Sequence, residues 1–374
     1  MNRVGVREVF QPLAHHLDRT SGQSFSPFRT IVDRETGGRH SAESPLARAN
    51  GTGSPSRRRT TLNKNSSATD SWPSLPYEEM APTVDHLHRL SQIAGKYTLN
   101  QPFEAYWGDI ALLVTPRGIA TRTLRADDIL FDIEFEILDS QVVVTASSGK
   151  TTLPLAAGTV ADFYSKFVDA VAVLGIPAPR TTLETEIAGA LHFDSDTIER
   201  PYDGRMARQM WRAYASVASA LSLWQSAYIG PRPPVGIMWG GFDLFAPRYN
   251  GRSLVPPHDR PIFQQNGMNG EVVAVGFSLG DSQSRAAGFY AYVSPPPAGI
   301  ESADFGVKEA AYEAAAGLVA LPWEAVRASK DQQDTVLRFA DAVYAAAVKF
   351  GGWPNDWVNP RHDGWYASSH LISD

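Results

Sequence analysis

Between Tyr77 and Gly95 the apolar residues Met80, Val84, Leu87, Leu90 and Ala94 recur at spacings of three and four. That recurrence puts them on one side of an α-helix, and Gly95 is expected to stop it. Further on the period changes to two. Phe131, Ile133, Phe135 and Ile137 alternate with Asp132, Glu134 and Glu136, the pattern of an antiparallel strand with one face on a core. Strands are predicted through DIALLVTPRGIATRTL and ILFDIEFEILDSQVVVTASSGKTTLPL, with turns at Gly118 and at SSGK. TVADFYSKFVDAVAVLG returns to a helical period, which Gly175 and Pro177 end. A second long helix is predicted from Arg205 to Tyr228, turning Met210, Trp211, Tyr214, Val217, Leu221 and Trp224 toward a core. PRPPVGIMWGGFDLFAPRYNGR reads as one strand, and EVVAVGF and GFYAYVSPPP as two more. Helical patterns reappear at 308–316 and from Asp331 to Phe350, and the Pro-, Asn- and Gly-rich residues 247–270 read as a long loop. Strands grouped together, with helices before, between and after them, predict an α+β fold with a mainly antiparallel sheet.

Composition adds boundaries to this picture. Residues 1–70 carry 11 Lys plus Arg against 6 Asp plus Glu and few large apolar groups, so they are expected to form a disordered, solvated tail. Glu8, Asp18, Asp33 and Glu35 weigh against an organelle transit peptide there. A single globular domain is expected over 72–358 and a ragged tail over 359–374. Beyond residue 70 the chain holds 23 basic against 34 acidic residues, which argues against a partner bound through a nucleic-acid backbone. With no cysteine in the chain, disulfides, thiolate catalysis and cysteine zinc sites are excluded. No apolar run reaches the roughly 18 residues that suggest a membrane span. A soluble, cytoplasmic protein with no cofactor and no membrane partner is the expectation.

Several short patterns imitate chemistry. Gly276-Phe277-Ser278-Leu279-Gly280 spells the G-x-S-x-G of a nucleophile elbow. An elbow needs a substantial helix after the serine, whereas only GDSQSRAAG separates this one from the next strand, so a loop between antiparallel strands is expected. SSGKT lacks the leading glycine of a phosphate loop, with Val144 in its place, and sits between strands. His86 and His88 resemble a metal pair, but positions i and i+2 of a helix point to different sides. His88, Gln92 and Lys96 do share one stripe, either a solvated face whose cation caps the helix end or the polar wall of a site. In IMWGGFDLFAPRYNGR an extended chain would put Met238, Phe242 and Leu244 on one face and Trp239, Gly241, Asp243 and Phe245 on the other. Asp243 with Arg248 or Arg252 is then either a structural ion pair or, with the Trp239 ring as a wall, a pocket for a polar ligand.

The segments WPSLPYEEM, HLHRLSQIAGKYTL, LLVTPRGIAT, TVADFYSKF, MWGGFDLFAPRYNGR, FYAYVSPPP and LPWEAVRAS stand in an order that resembles an uncharacterised bacterial family, a domain of unknown function. The resemblance runs from about Trp72 to Trp353 and implies no reaction or substrate. It does imply that GFSLG replaces a G-F-W-P-G segment, which makes Ser278 a substituted loop residue, and that Ser140 stands where histidine is frequent. The residues expected to form a site for a small polar or anionic ligand are His88, Gln92, Lys96, Trp239, Asp243, Arg248 and Arg252, with Glu271 at a strand entrance as a further candidate. His88 or Asp243 would act as general base and the arginines would hold an anionic group. A non-enzymatic binding or scaffold protein is the alternative, and a serine hydrolase acting through Ser278 is a third.

Overall fold

Helix α1, Tyr77–Thr98, opens with Glu78 and Glu79 and closes with Lys96, each charge placed to favour the helix dipole. From Arg89 to Thr98 every residue is buried, so this half of α1 runs through protein on all sides. Polar residues in that stretch must therefore find partners inside. Gly95 does not end the helix, which continues three residues further to Thr98. It marks a close approach instead: a Cβ on Gly95 would lie 2.4 Å from the indole of Trp239.

The computed structural model describes residues 70–358 apart from 188, 257, 259–264 and 266. The expected disordered tail over 1–70 lies outside the described residues except for Asp70, and the expected ragged tail over 359–374 lies outside them entirely. Among the described residues the fold is α+β, five helices with a twelve-stranded sheet in which every pairing is antiparallel. The strands are β1 Ala111–Val114, β2 Ile119–Ala120, β3 Leu124–Ala126, β4 Ile129–Glu136, β5 Gln141–Ala146 and β6 Gly149–Pro154. After two helices come β7 Gly236–Met238, β8 Asp243–Ser253, β9 Gly270–Ser278, β10 Gly288–Ser294, β11 Ala311–Glu313 and β12 Leu318–Pro322. They lie in the order β11-β12-β10-β9-β8-β7-β1-β2-β4-β5-β6, with β3 beside β4. The remaining helices are α2 Val160–Val173, α3 Gly204–Ser226, α4 Trp323–Ala328 and α5 Gln332–Gly351.

Strand alternation sorts the two faces of the central sheet. Leu244 and Ala246 of β8, Val273, Val275 and Phe277 of β9, and Phe289, Ala291 and Val293 of β10 join the main core with α1, α3 and α5. The opposite face carries Phe245, Tyr249, Val272 and Ala274, covered by Tyr106 and Trp107. Thr159 and Asp331 cap α2 and α5 by accepting from backbone N–H groups, as does Asp203 for α3, which explains where those helices begin.

Three further expectations need correction. PRPPVGIMWGGFDLFAPRYNGR is not one strand. It folds as the β7–β8 hairpin, with Phe242 at φ 57° and its N–H donating to the Met238 carbonyl at 2.7 Å. The turn sends Trp239 and Phe242 into the main core and leaves Asp243 on the other side of the sheet from Leu244. Residues 308–316 are not helical either. They form the edge strand β11 and a turn through Gly317 at φ 67°, because pairing of Tyr312 with Val319 outweighs the helical preference of an alanine-rich run. Finally, β8 continues to Ser253, past a register shift, so the long loop begins after residue 253 and lies only partly within the described residues.

Gly95 gives a sharp test. Glycine to alanine inside a helix ordinarily stabilises by about 1 kcal/mol. Here the new methyl would overlap the Trp239 ring, and overpacking of a full core costs about 1–3 kcal/mol. Gly95→Ala is expected to lower the urea midpoint; an unchanged or raised midpoint would show that the helix and the indole are not in contact.

Candidate functional site

The C-terminal half of α1 organises the irregular segment between α2 and α3 from two sides. On one side, Arg89 bonds Glu184 at 2.5 Å and Asp85 at 3.2 Å, and Arg200 bonds Asp196 at 2.9 Å and Asp85 at 2.9 Å. The side chains of Glu184 and Asp196 are fully buried. A buried charge with an opposite charge in hydrogen-bond contact is what a structural role requires. On the other side, Gln92 grips the backbone of Thr185. Its Oε1 accepts from the Thr185 N–H at 2.7 Å and its Nε2 donates to the Thr185 carbonyl at 2.7 Å. Glu186 follows directly, in the left-handed region at φ 59°. A non-glycine residue held there is strained, and such strain concentrates at functional sites.

The same helix face meets the β7–β8 turn. His88 Nε2 lies 2.8 Å from the carbonyl oxygen of Gly240, and the imidazole stacks on Phe242 with ring centroids 5.2 Å apart. Lys96 Nζ donates to the Thr185 hydroxyl at 2.5 Å and lies 4.7 Å from the centre of the Trp239 ring. Gly240 lies close to the loop: a Cβ there would fall 2.3 Å from the Glu186 carboxylate, the movable end of a flexible side chain. Asp243, opening β8, accepts a hydrogen bond from the Tyr290 phenol of β10. Tyr290 reaches it by crossing Gly276 of β9, where a Cβ would lie 2.1 Å from the phenol ring. Tyr292 stands beside Tyr290 with its ring nearly parallel, 4° apart in plane and 6.5 Å between centroids.

These groups form one polar cluster with an inner layer and a rim. Gln92, Lys96, Trp239, Gly240 and Tyr290 are buried, whereas His88, Thr185, Glu186, Gly241, Asp243 and Tyr292 are half-buried. Burial controls their proton affinities. It drives the His88 imidazole down to about 4, so the ring is neutral and its Nε2 carries the proton given to Gly240. It lowers the Lys96 ammonium to about 8, against the opposing pull of the Glu186 and Glu184 carboxylates. It raises Asp243 to about 7, with the Tyr290 hydrogen bond opposing and the Glu186 charge adding to the rise. Glu184 and Asp196 have arginines in contact, whereas the Asp243 carboxyl faces a phenol and lies near a second carboxylate. A cluster of this kind can hold a proton near neutral pH and donate hydrogen bonds from a carboxyl, a phenol and an ammonium.

His88, Gln92, Lys96, Trp239 and Asp243 thus come together around the Gly240–Gly241 turn. Arg248, Arg252 and Glu271 do not. Arg248 is fully buried on the helix side of the sheet, its guanidinium 3.7 Å from the centre of the Trp224 ring and 5.0 Å from that of Tyr344, donating to the Trp224 carbonyl. Arg252 lies nine residues along β8 from Asp243, about 30 Å in an extended strand. There it pairs with Glu271 at 3.2 Å, and Glu271 also accepts from Asn250 at 2.6 Å. Ser278 ends β9, accepts from the Gly280 N–H at 3.1 Å, and is followed by the antiparallel strand β10, so no helix stands behind it. His86 points elsewhere, to the Ala156 carbonyl at 3.0 Å. The stripe of His88, Gln92 and Lys96 is not a solvated face, because Gln92 and Lys96 are buried against Thr185.

Thr185, Glu186, Tyr290 and Tyr292 were not indicated by the sequence. Period-two alternation does place both tyrosines on one face of β10, but only the register of β8, β9 and β10 shows that this is the Asp243 face. A recess of 370 Å³ lined by Thr98, Gln101, Asp109, Arg122 and Leu124 shares no residue with the cluster. Among the described residues no group of three or more His, Asp or Glu could hold a metal, and no helix is long and apolar enough to cross a membrane. The model of DUF5996, a family of unknown function, matches residues 72–360. No curated protein and no solved structure matches the chain.

The Asp243 carboxyl makes stability depend on pH with a definite sign. The folded chain keeps this proton up to about pH 7, whereas an unfolded chain releases it near about pH 4. The folded state binds more protons in that window, so this contribution to stability falls as pH rises from about 4 to about 7 and is level above. Asp243→Asn cannot ionise. Its stability relative to the parent is expected to improve by about 2 kcal/mol between about pH 5 and about pH 8, measured by urea unfolding. A difference that does not change with pH would contradict the elevated proton affinity.

Proposed function

We propose that the chain, which belongs to the DUF5996 family, binds a small polar molecule at the rim of this cluster and exchanges a proton with it through Asp243. The carrying observation is the contrast among its buried carboxyls. Glu184 and Asp196 are in contact with arginine, whereas Asp243 is held by the Tyr290 phenol and raised by its burial and by Glu186. A carboxyl kept near its midpoint at neutral pH, half-buried beside two glycines and two phenols, suits a general acid or base better than a structural anchor. His88 suits that role less well, because its ring is neutral and its Nε2 proton is committed to the Gly240 carbonyl.

The position of the arginines narrows the ligand. Arg248 is sealed within the helix-side core and Arg252 is engaged at the far end of β8, so neither supplies an anion clamp here. The groups on offer are hydrogen-bond donors and acceptors with two carboxyls among them, which favours a polar neutral molecule over a phosphate or a polycarboxylate. Trp239, lying over Gly95 and against Lys96, supplies an apolar wall behind them.

A thermal-shift screen of sugars, polyols, amides, aldehydes, ketones and carboxylates tests the reading, since a ligand of the native state stabilises by mass action. At about 100 times the dissociation constant the gain is about 2.7 kcal/mol, a rise of several degrees. At least one polar neutral compound is expected to raise the melting temperature, and the rise should shrink in Asp243→Asn and Tyr290→Phe, each compared with its own unliganded baseline. No rise with any compound, or rises that survive both substitutions, would contradict it.

A further inference from the structure

Lys96 is an unusual lysine. Lys150, Lys166, Lys308, Lys330 and Lys349 are all exposed, whereas Lys96 has 2% of its surface exposed. An ammonium taken out of water is costly and is normally compensated by a carboxylate in contact. Arg89 and Arg200 follow that rule. The group that Lys96 Nζ touches at 2.5 Å is the hydroxyl of Thr185, a neutral acceptor, and the Trp239 ring covers another side. Glu186 and Glu184 act on it through space without offsetting its burial, so the amine lies down at about 8. At neutral pH about a tenth of it is then free base, against well under a hundredth for an ordinary lysine. Desolvation in an apolar pocket is one of the ways by which a lysine becomes a nucleophile. Thr185, which touches the amine, and Glu186 next to it are half-buried.

We propose that Lys96 is an amine nucleophile that condenses with the carbonyl group of an aldehyde or ketone ligand to form an imine. The proposal rests on the small-molecule reading above and names the class of molecule. Neutral Nζ adds to the carbonyl carbon, and one of the protons on the now cationic nitrogen passes to the carbonyl oxygen, giving a neutral carbinolamine. The nitrogen lone pair then expels the hydroxyl, which leaves as water with a proton from a carboxyl of the cluster. The nitrogen loses its remaining proton to the resulting carboxylate. Amine plus carbonyl therefore gives imine plus water, with no change of oxidation state and the acid regenerated. Glu186, which acts electrostatically on Lys96, is the carboxyl placed for the two transfers.

Reductive trapping of the full chain tests this directly. The folded protein is incubated at about pH 7 with acetaldehyde or with pyruvate in the presence of cyanoborohydride, and the adduct is located by peptide mass mapping. Lys96 is expected to carry at least about tenfold more reduced adduct than any exposed lysine, because far more of it is free amine. Unfolding in urea should erase that preference. Adducts spread over exposed lysines with Lys96 unmodified overturn the imine. If a polar compound still raises the melting temperature in an Asp243-dependent way, the small-molecule reading survives that result; if none does, both fall.

Discussion

The close approach of helix α1 to the β7–β8 turn is the constraint on which the cluster depends. With no side chain at Gly95, the Trp239 indole lies directly on the helix. That contact brings the Gly240 carbonyl within reach of His88, and Gln92 can then hold the backbone of Thr185 from the adjacent turn of the same helix. Gly240, again lacking a side chain, leaves room for the Glu186 carboxylate. The missing methyl at Gly95 thus sets the distance between the helix and the hairpin turn, and Gln92 ties the irregular loop to the same helix. Polar side chains fill the gap, because the helix stretch that enters it is buried on every side and its polar groups need partners.

Electrostatics divides the buried charges into two sets with different consequences. Arg89 and Arg200 with Glu184, Asp196 and Asp85 form a network in which the buried charges have opposite charges in contact. Removing one member leaves another exposed to the full cost of burial, which for such networks is about 3–5 kcal/mol. Burial raises Glu184 even within this set, but Lys96 and Asp243 have a hydroxyl in contact instead, that of Thr185 for the lysine and of Tyr290 for the aspartate. Both shift toward neutrality, the lysine down to about 8 and the aspartate up to about 7. The first set holds the loop that carries Thr185 and Glu186. The second set places groups that can change protonation near neutral pH beside that loop. A stable frame around destabilised members is the usual arrangement of a functional site.

Much of this was legible in the sequence, and the remainder was hidden for identifiable reasons. His88, Gln92 and Lys96 share a stripe by spacing alone, and the glycines beside Trp239 and Asp243 signalled a close approach. Whether that stripe faced water or protein depended on the β7–β8 turn, which period-two alternation cannot reveal. The turn requires Phe242 at positive φ, a conformation that no propensity assigns to phenylalanine. Arg248 looked like a partner of Asp243, yet an odd number of positions along a strand puts the two on opposite faces. Glu186 sits in a segment without periodicity and in a strained conformation, so nothing local marked it. Tyr290 was recognisable as a strand residue, but its bond to Asp243 exists only because β9 lies between β8 and β10 with glycine at position 276.

The whole arrangement turns on Asp243 holding its proton near neutral pH inside this cluster. Carbon-13 NMR of side-chain-labelled aspartates, with the Asp243 resonance assigned by its loss in Asp243→Asn, measures that property at the atom concerned. A carboxyl midpoint at about 7, well above the ordinary aspartate value, is expected. A midpoint near the ordinary value of about 4 would contradict it.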